Sequence, residues 1–166
     1  MTAAVLGTDG TLVMGRMRLR TAIGHGGVRL RKAEGDGATP VGLLPLRRVL
    51  YRADRVVRPR LVVPVLPIAP HDGWCDDPRD AEYNRPVRLP YDARHEALWR
   101  QDSLYDIVGV LGWNDDPTMP GAGSAIFLHV AGPDWAPTEG CIALALPDLQ
   151  ALLATGLTAI EVLPRD

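Results

Sequence analysis

IFLHVAGPDWAPTEGCIAL, residues 126–144, is the stretch that decides how this chain is read. An apolar run ends at His129, a loop follows, and a Gly140-Cys141 pair opens a second apolar run. Two short apolar runs bracketing a Gly/Pro-rich loop read as neighbouring strands. The layout suits a cysteine nucleophile and its general base on those strands. A free thiol is mostly protonated near neutral pH, and the attacking species is the thiolate, so a base or cation must stand close by. Gly140 suits a sharp turn whose backbone N–H groups can point at a developing oxyanion.

Reading outward, residues 11–14 and 16–20 flank Gly15 as a hairpin or bulged strand. Residues 24–27 (GHGG) form a turn, 28–32 a short strand, 35–42 a Gly/Pro turn, and 42–51 a strand interrupted by Pro45. Prolines at 59, 64, 67 and 70 confine residues 58–70 to an edge or extended segment. The polar, turn-rich stretch 71–88, HDGWCDDPRDAEYNRPVR, reads as a long functional loop or lid. Residues 96–99 read as one helical turn, 105–113 as a buried strand, 114–123 as a loop and 124–130 as the strand carrying His129. Pro147, Asp148 and the spacing of Leu149, Leu152 and Leu153 predict one helix, ended by Gly156. Residues 158–163 close the chain as a strand. The expected fold is mostly β, with one clear helix near the C-terminus.

The chain has 166 residues, which implies one domain, 1–166, with room for a hydrophobic core. Its 15 prolines and 17 glycines favour a turn-rich β fold over a helix bundle. A net charge of −2 gives no footprint for nucleic acid or an anionic membrane. Two cysteines in different segments make neither a disulfide framework nor a zinc pattern. His25, His71 and His95, with Asp72, Asp76 and Asp77, lack tight ligand spacing, so no metal is expected. No cofactor is implied. No apolar stretch approaches the ~20 residues that span a bilayer. The N-terminus lacks the basic and apolar regions of a signal peptide, so the expectation is a cytoplasmic protein if Met1 is the native start. If an export segment has been removed, the expectation is periplasmic.

At His129, Thr138, Gly140, Cys141 and Ile142 the sequence resembles the L,D-transpeptidase (YkuD-type) family. That family's signature is a histidine, a loop, then Ser/Thr-His-Gly-Cys, a hydrophobic residue, and Arg or Asn. Residues 35–43, GDGATPVGL, resemble the Thr-Pro-x-Gly turn that members carry earlier in the domain. The resemblance runs from about Arg20 to the C-terminus and implies a β-sandwich-like catalytic domain. Two positions depart from the pattern. Glu139 replaces the second histidine, and Ala143 replaces the Arg or Asn. A carboxylate beside the thiol disfavours the thiolate.

The resemblance implies a cysteine acyl-transfer enzyme acting on peptidoglycan stem peptides, with Cys141 as nucleophile, His129 as base and Gly140–Cys141 as the oxyanion site. Val130 offers no side-chain acceptor, so a backbone carbonyl is expected to orient His129. Glu139 is a candidate partner for the amine of a diaminopimelate residue. Thr138, Trp74, Tyr83, Asn84, Arg85 and Tyr105 are the other candidates for the substrate cleft. The acyl acceptor is left open among water, a D-amino acid and a second stem peptide. Water would give an L,D-carboxypeptidase of wall recycling, and a stem peptide would give wall cross-linking. Two readings from other classes are a noncatalytic peptidoglycan-binding module and a thiol redox protein using Cys141 with Cys75. The latter lacks CxxC spacing, and Cys75 reads as structural.

Overall fold

The computed structural model describes residues 1–165. The chain runs through β1 (Ala3–Leu6), β2 (Thr11–Met14), β3 (Met17–Arg20), β4 (Val28–Arg29), β5 (Thr39–Pro40), β6 (Gly42–Tyr51), β7 (Val65–Pro67), β8 (Asp72–Cys75), β9 (Pro86–Arg88), β10 (His95–Ala97), β11 (Ile107–Leu111), β12 (Phe127–Val130), β13 (Ile142–Leu144), α1 (Leu146–Ala154) and β14 (Ala159–Val162). The main sheet has the order β13-β12-β11-β6-β14-β1-β2-β3, with β7 also paired to β6. The β-rich fold with one C-terminal helix is therefore as expected.

The long strand β6 joins the two halves of this sheet. Its first part pairs antiparallel with β14, and its second part pairs with β11 and β7. Pro45 sits at the change of partner. Just beyond it the register with β11 shifts, because Leu111 faces Leu46 while Val110 faces Arg48. Arg47 is the extra residue of a bulge, which bends a strand and raises its twist. Burial follows the bulge: Leu44 and Leu46 are buried, then Val49 and Tyr51. The two halves thus share one core, into which α1 inserts Leu149, Leu152 and Leu153. Thr155 and Gly156, whose φ is +81°, end the helix.

Three local expectations are corrected. Residues 71–88 are no lid: β8 and β9 form a small antiparallel sheet with β10, in the order β10-β8-β9. The expected helical turn at 96–99 is instead β10 with the residues after it. Strands of three or four residues are too short to show periodicity, and here local caps absorb the polar side chains that suggested a loop. Asp77 accepts the Arg79 N–H, and Asp80 accepts the Glu82 N–H and the Tyr91 hydroxyl. The strand expected over 28–32 stops at Arg29. The N-terminal strand β1 carries only four residues, too few to show a periodicity, although the Gly7-Thr8-Asp9-Gly10 turn follows it. It becomes a strand because β14 and β2 flank it, burying Ala4 and Leu6 completely.

A second, smaller core lies on the other face of β11 and β12. It gathers Trp74, Leu98, Tyr105, Val108, Val110, Phe127 and Cys141. Phe127 is wholly buried there, edge-on to Trp74 at 5.2 Å and to Tyr105 at 5.9 Å. Burying such a ring stabilises by about 1.5–3 kcal/mol. Trp74 of β8 and Leu98, just beyond β10, join the small sheet to the main one through this core.

Candidate active site

Strand alternation and register bring His129 and Cys141 to one face. In β12, Leu128 and Val130 point into the main core, while Phe127 and His129 face the smaller one. β13 runs parallel to β12, with Leu128 beside Ile142 and His129 beside Ala143. That register sets Cys141 next to Phe127, on the His129 face, and the Phe127 N–H donates to Cys141 Sγ at 3.4 Å. His129 and Cys141 both line a cleft of about 550 Å³. Ala143 pairs with His129 in register and lines the same cleft with a single methyl group.

The Thr-x-Gly-Cys turn is closed by Thr138. Its hydroxyl donates to the Cys141 carbonyl at 2.6 Å and accepts the Gly140 N–H at 3.1 Å. Gly140 has φ +131°, and a Cβ there would stand 2.7 Å from the Ala38 carbonyl oxygen, so only glycine fits. Ala38 belongs to the 35–43 stretch, whose Thr39 hydroxyl accepts the Gly24 N–H. The two motifs singled out in the sequence are thus packed directly on each other. With the Gly140 N–H engaged by Thr138, the Glu139 and Cys141 N–H groups make no hydrogen bond among the described residues, and of the two the Cys141 N–H belongs to the residue that carries the sulfur. It is the donor free to meet an oxyanion.

Cys141 is only 8% exposed. Burial first, and the nearby Glu96 carboxylate second, push its thiol up to about 12. The S–H accordingly donates to the Ala125 carbonyl, at 3.2 Å. Burial also lowers the pKa of His129. Its Nδ1 lies 2.9 Å from the Val130 carbonyl oxygen. A carbonyl can only accept, so Nδ1 carries the proton and Nε2 holds the lone pair. The orienting group is thus a backbone carbonyl. Nε2 makes no hydrogen bond to the sulfur, whose contacts go to Phe127 and Ala125. The resting pair is a neutral imidazole and a neutral thiol on one cleft wall. Proton transfer between them requires the thiol to turn from Ala125 toward Nε2.

Of the remaining residues singled out in the sequence, Tyr105, Thr138 and Glu139 line the cleft. The Tyr105 ring lies edge-on to His129 at 5.3 Å, and its hydroxyl donates to Glu96. Glu139 is on the rim, with its side chain 86% exposed, and pairs with His25 at 3.0 Å. Trp74, Tyr83, Asn84 and Arg85 lie outside the cleft. Trp74, Asn84 and Arg85 line a smaller depression behind it. Asn84 uses its whole amide. Its Oδ1 accepts from Trp74 Nε1 and the Ala125 N–H, and its Nδ2 donates to the carbonyls of Trp113 and Asn114. Asn84 therefore holds Ala125, at φ +53°, in place to receive the Cys141 thiol. Tyr83 donates to Glu34 and accepts the Gly123 N–H, anchoring the wall from below. Cys75 is fully buried, and burial raises its pKa.

Sequence reading missed these charged residues of the cleft: Lys32, Glu34, Asp76, Arg94, Glu96, Arg100 and Asp134. They come from separate segments and share no spacing. A strand in place of a helical turn at residue 96 was the one local signal, and three residues were too few to carry it.

A family model described as YkuD, L,D-transpeptidase catalytic domain, matches residues 4–162, nearly the whole chain. The chain belongs to that family, the cysteine-dependent L,D-transpeptidases that act on peptidoglycan. No curated protein gives a significant match. Among the described residues, no helix is long and apolar enough to cross a membrane.

Proposed function

We propose that the protein acylates Cys141 with a peptidoglycan stem peptide, and that water competes well as the acceptor, giving L,D-carboxypeptidase activity. The observation that carries the chemistry is the shared face of Cys141 and His129 in one cleft, with Nε2 unprotonated and the Cys141 N–H unengaged. His129 Nε2 takes the thiol proton as the sulfur bonds to the carbonyl carbon of the diaminopimelate residue. The carbonyl oxygen becomes an oxyanion facing the Cys141 N–H. Collapse breaks the C–N bond, and the imidazolium gives its proton to the departing D-amino acid amine. A thioester remains. An incoming water loses its proton to Nε2 and attacks, the C–S bond breaks, and the proton returns to sulfur. An amine entering in place of water gives exchange or a cross-link.

Two features support the hydrolytic branch. Ala143 presents no polar side chain beside His129 with which to hold an acceptor peptide. Glu139 leaves the rim beside the thiol acidic and paired with His25. The wall cross-linking reading rests on the family membership alone. Incubating a disaccharide-tetrapeptide with the enzyme, with and without an added acceptor amine, separates the two. Tripeptide and free D-alanine are expected to dominate. Cross-linked dimers dominating at low peptide concentration would overturn the hydrolytic assignment and leave the acyl-enzyme chemistry standing.

A further inference from the structure

Among the charged side chains of the cleft, Glu96 and Asp134 alone lack an oppositely charged partner among the described residues, and Glu96 stands apart because Asp134 is exposed to water. Lys32 is paired with Asp36 at 2.7 Å, Arg94 with Asp76 and Glu34, Arg100 with Asp102, and Glu139 with His25. Glu96 is partly buried and has no cation within salt-bridge distance among the described residues. One of its oxygens, Oε1, accepts the Tyr105 hydroxyl. Oε2 has no partner in the protein. No buried side-chain oxygen or nitrogen lacks a hydrogen bond among the described residues, so Oε2 is not enclosed and opens on the cleft that Glu96 lines. A carboxylate drawn out of water without a counter-ion is costly unless something supplies the cation. Burial raises the pKa of Glu96 accordingly. The Tyr105 hydroxyl cannot supply that cation: burial keeps it a neutral phenol, and ionisation would make it an anion.

We propose that Glu96 is a specificity-determining residue that receives a primary ammonium group of the acyl donor, and that this ion pair also frees the Cys141 thiol to ionise. The proposal rests on the acyl-transfer reading of the cleft and names the group that the cleft selects. The carboxylate of Glu96 acts on the sulfur: after burial, it is the largest influence holding the thiol protonated. An ammonium on Oε2 cancels that charge at the moment the scissile carbonyl arrives. A diamino-acid residue with a free side-chain amine is the donor of this chemistry. Donors without the amine lose both the contact and the activation, so they fall in kcat as well as rising in KM. An incoming acceptor amine shares the ammonium chemistry, and an assay run without acceptor removes it.

The test compares two tetrapeptide donors, one with the free side-chain amine and one with that amine acetylated, each hydrolysed without acceptor by wild type and by Glu96→Gln. Gln keeps an acceptor for the Tyr105 hydroxyl and removes the charge. Wild type is expected to prefer the free amine by roughly 10–100-fold in kcat/KM, the range of a charge-assisted hydrogen bond. Glu96→Gln should lose most of that preference while its resting thiol alkylates faster than that of wild type. Tyr105→Phe retains the carboxylate and should retain the preference, which guards against loss of fold as the explanation. If Glu96→Gln discriminates between the donors as strongly as wild type does, the proposal is overturned and the acyl-transfer reading is untouched. The same holds if Glu96→Gln affects only amine acceptors added to the mixture. If wild type releases no amino acid from either donor, both readings fall together.

Discussion

Titrating the reactivity of Cys141 with pH tests whether the nucleophile rests as a thiol. The rise from an ordinary 9.0 to about 12 corresponds to about 4 kcal/mol against the thiolate. At pH 8 an ordinary cysteine is roughly one-tenth ionised, whereas Cys141 would be ionised in about one molecule in 10⁴. Groups of opposite sign face the sulfur: the Lys32 cation favours the thiolate, and the Glu96 and Glu139 carboxylates oppose it. In a Cys75→Ala background, iodoacetamide alkylation followed by intact-protein mass spectrometry reads Cys141 alone. Its rate should climb about tenfold per pH unit from 7 to 9.5 without levelling. At pH 8 it should be roughly 1000-fold slower than for an exposed model thiol. Glu96→Gln should shift the whole line to faster rates. A plateau with a midpoint below pH 7 would show a preformed thiolate–imidazolium pair and refute the neutral resting state. That outcome would mean that the imidazole, held by the Val130 carbonyl, reaches the sulfur in the free enzyme.

Cys141→Ala should abolish turnover and Cys75→Ala should keep most of it, with unchanged circular dichroism in both; product release by Cys141→Ala near the wild-type rate would remove the thiol from the chemistry. Gly140→Ala should cost about 1–3 kcal/mol of stability, because φ +131° and the Ala38 carbonyl oppose a Cβ; thermal melts should fall by roughly 2–12 °C, and an unchanged melt would contradict the packing of the two motifs. His129 has a folded pKa below its ordinary 6.5. Its contribution to stability is therefore complete above about pH 6.5 and fades as pH falls through the lowered value. Urea midpoints measured from pH 7.5 down to 4.5 should drop less steeply for His129→Gln than for wild type, and parallel curves would argue against a buried neutral imidazole.

The sequence alone determined what short-range patterns can specify. His129 ends, and Cys141 opens, an apolar run of strand length bounded by turn residues, and Gly140 with Thr138 encodes a turn that closes on itself. The β2–β3 hairpin and the helix begun by Pro147 are legible for the same reason, since each is written in neighbouring residues. The tertiary structure decided the rest, because burial and charge belong to the assembled fold. It put Glu96 from β10 into the cleft, and drew Glu139 to His25 across 114 residues of sequence. It also turned Asn84 and Trp74 into supports behind the sulfur. The thiol's resistance to ionisation has the same origin. A cysteine in an isolated segment keeps an ordinary pKa, and only the packed wall of Phe127, Tyr105 and Glu96 removes the water that would solvate its charge.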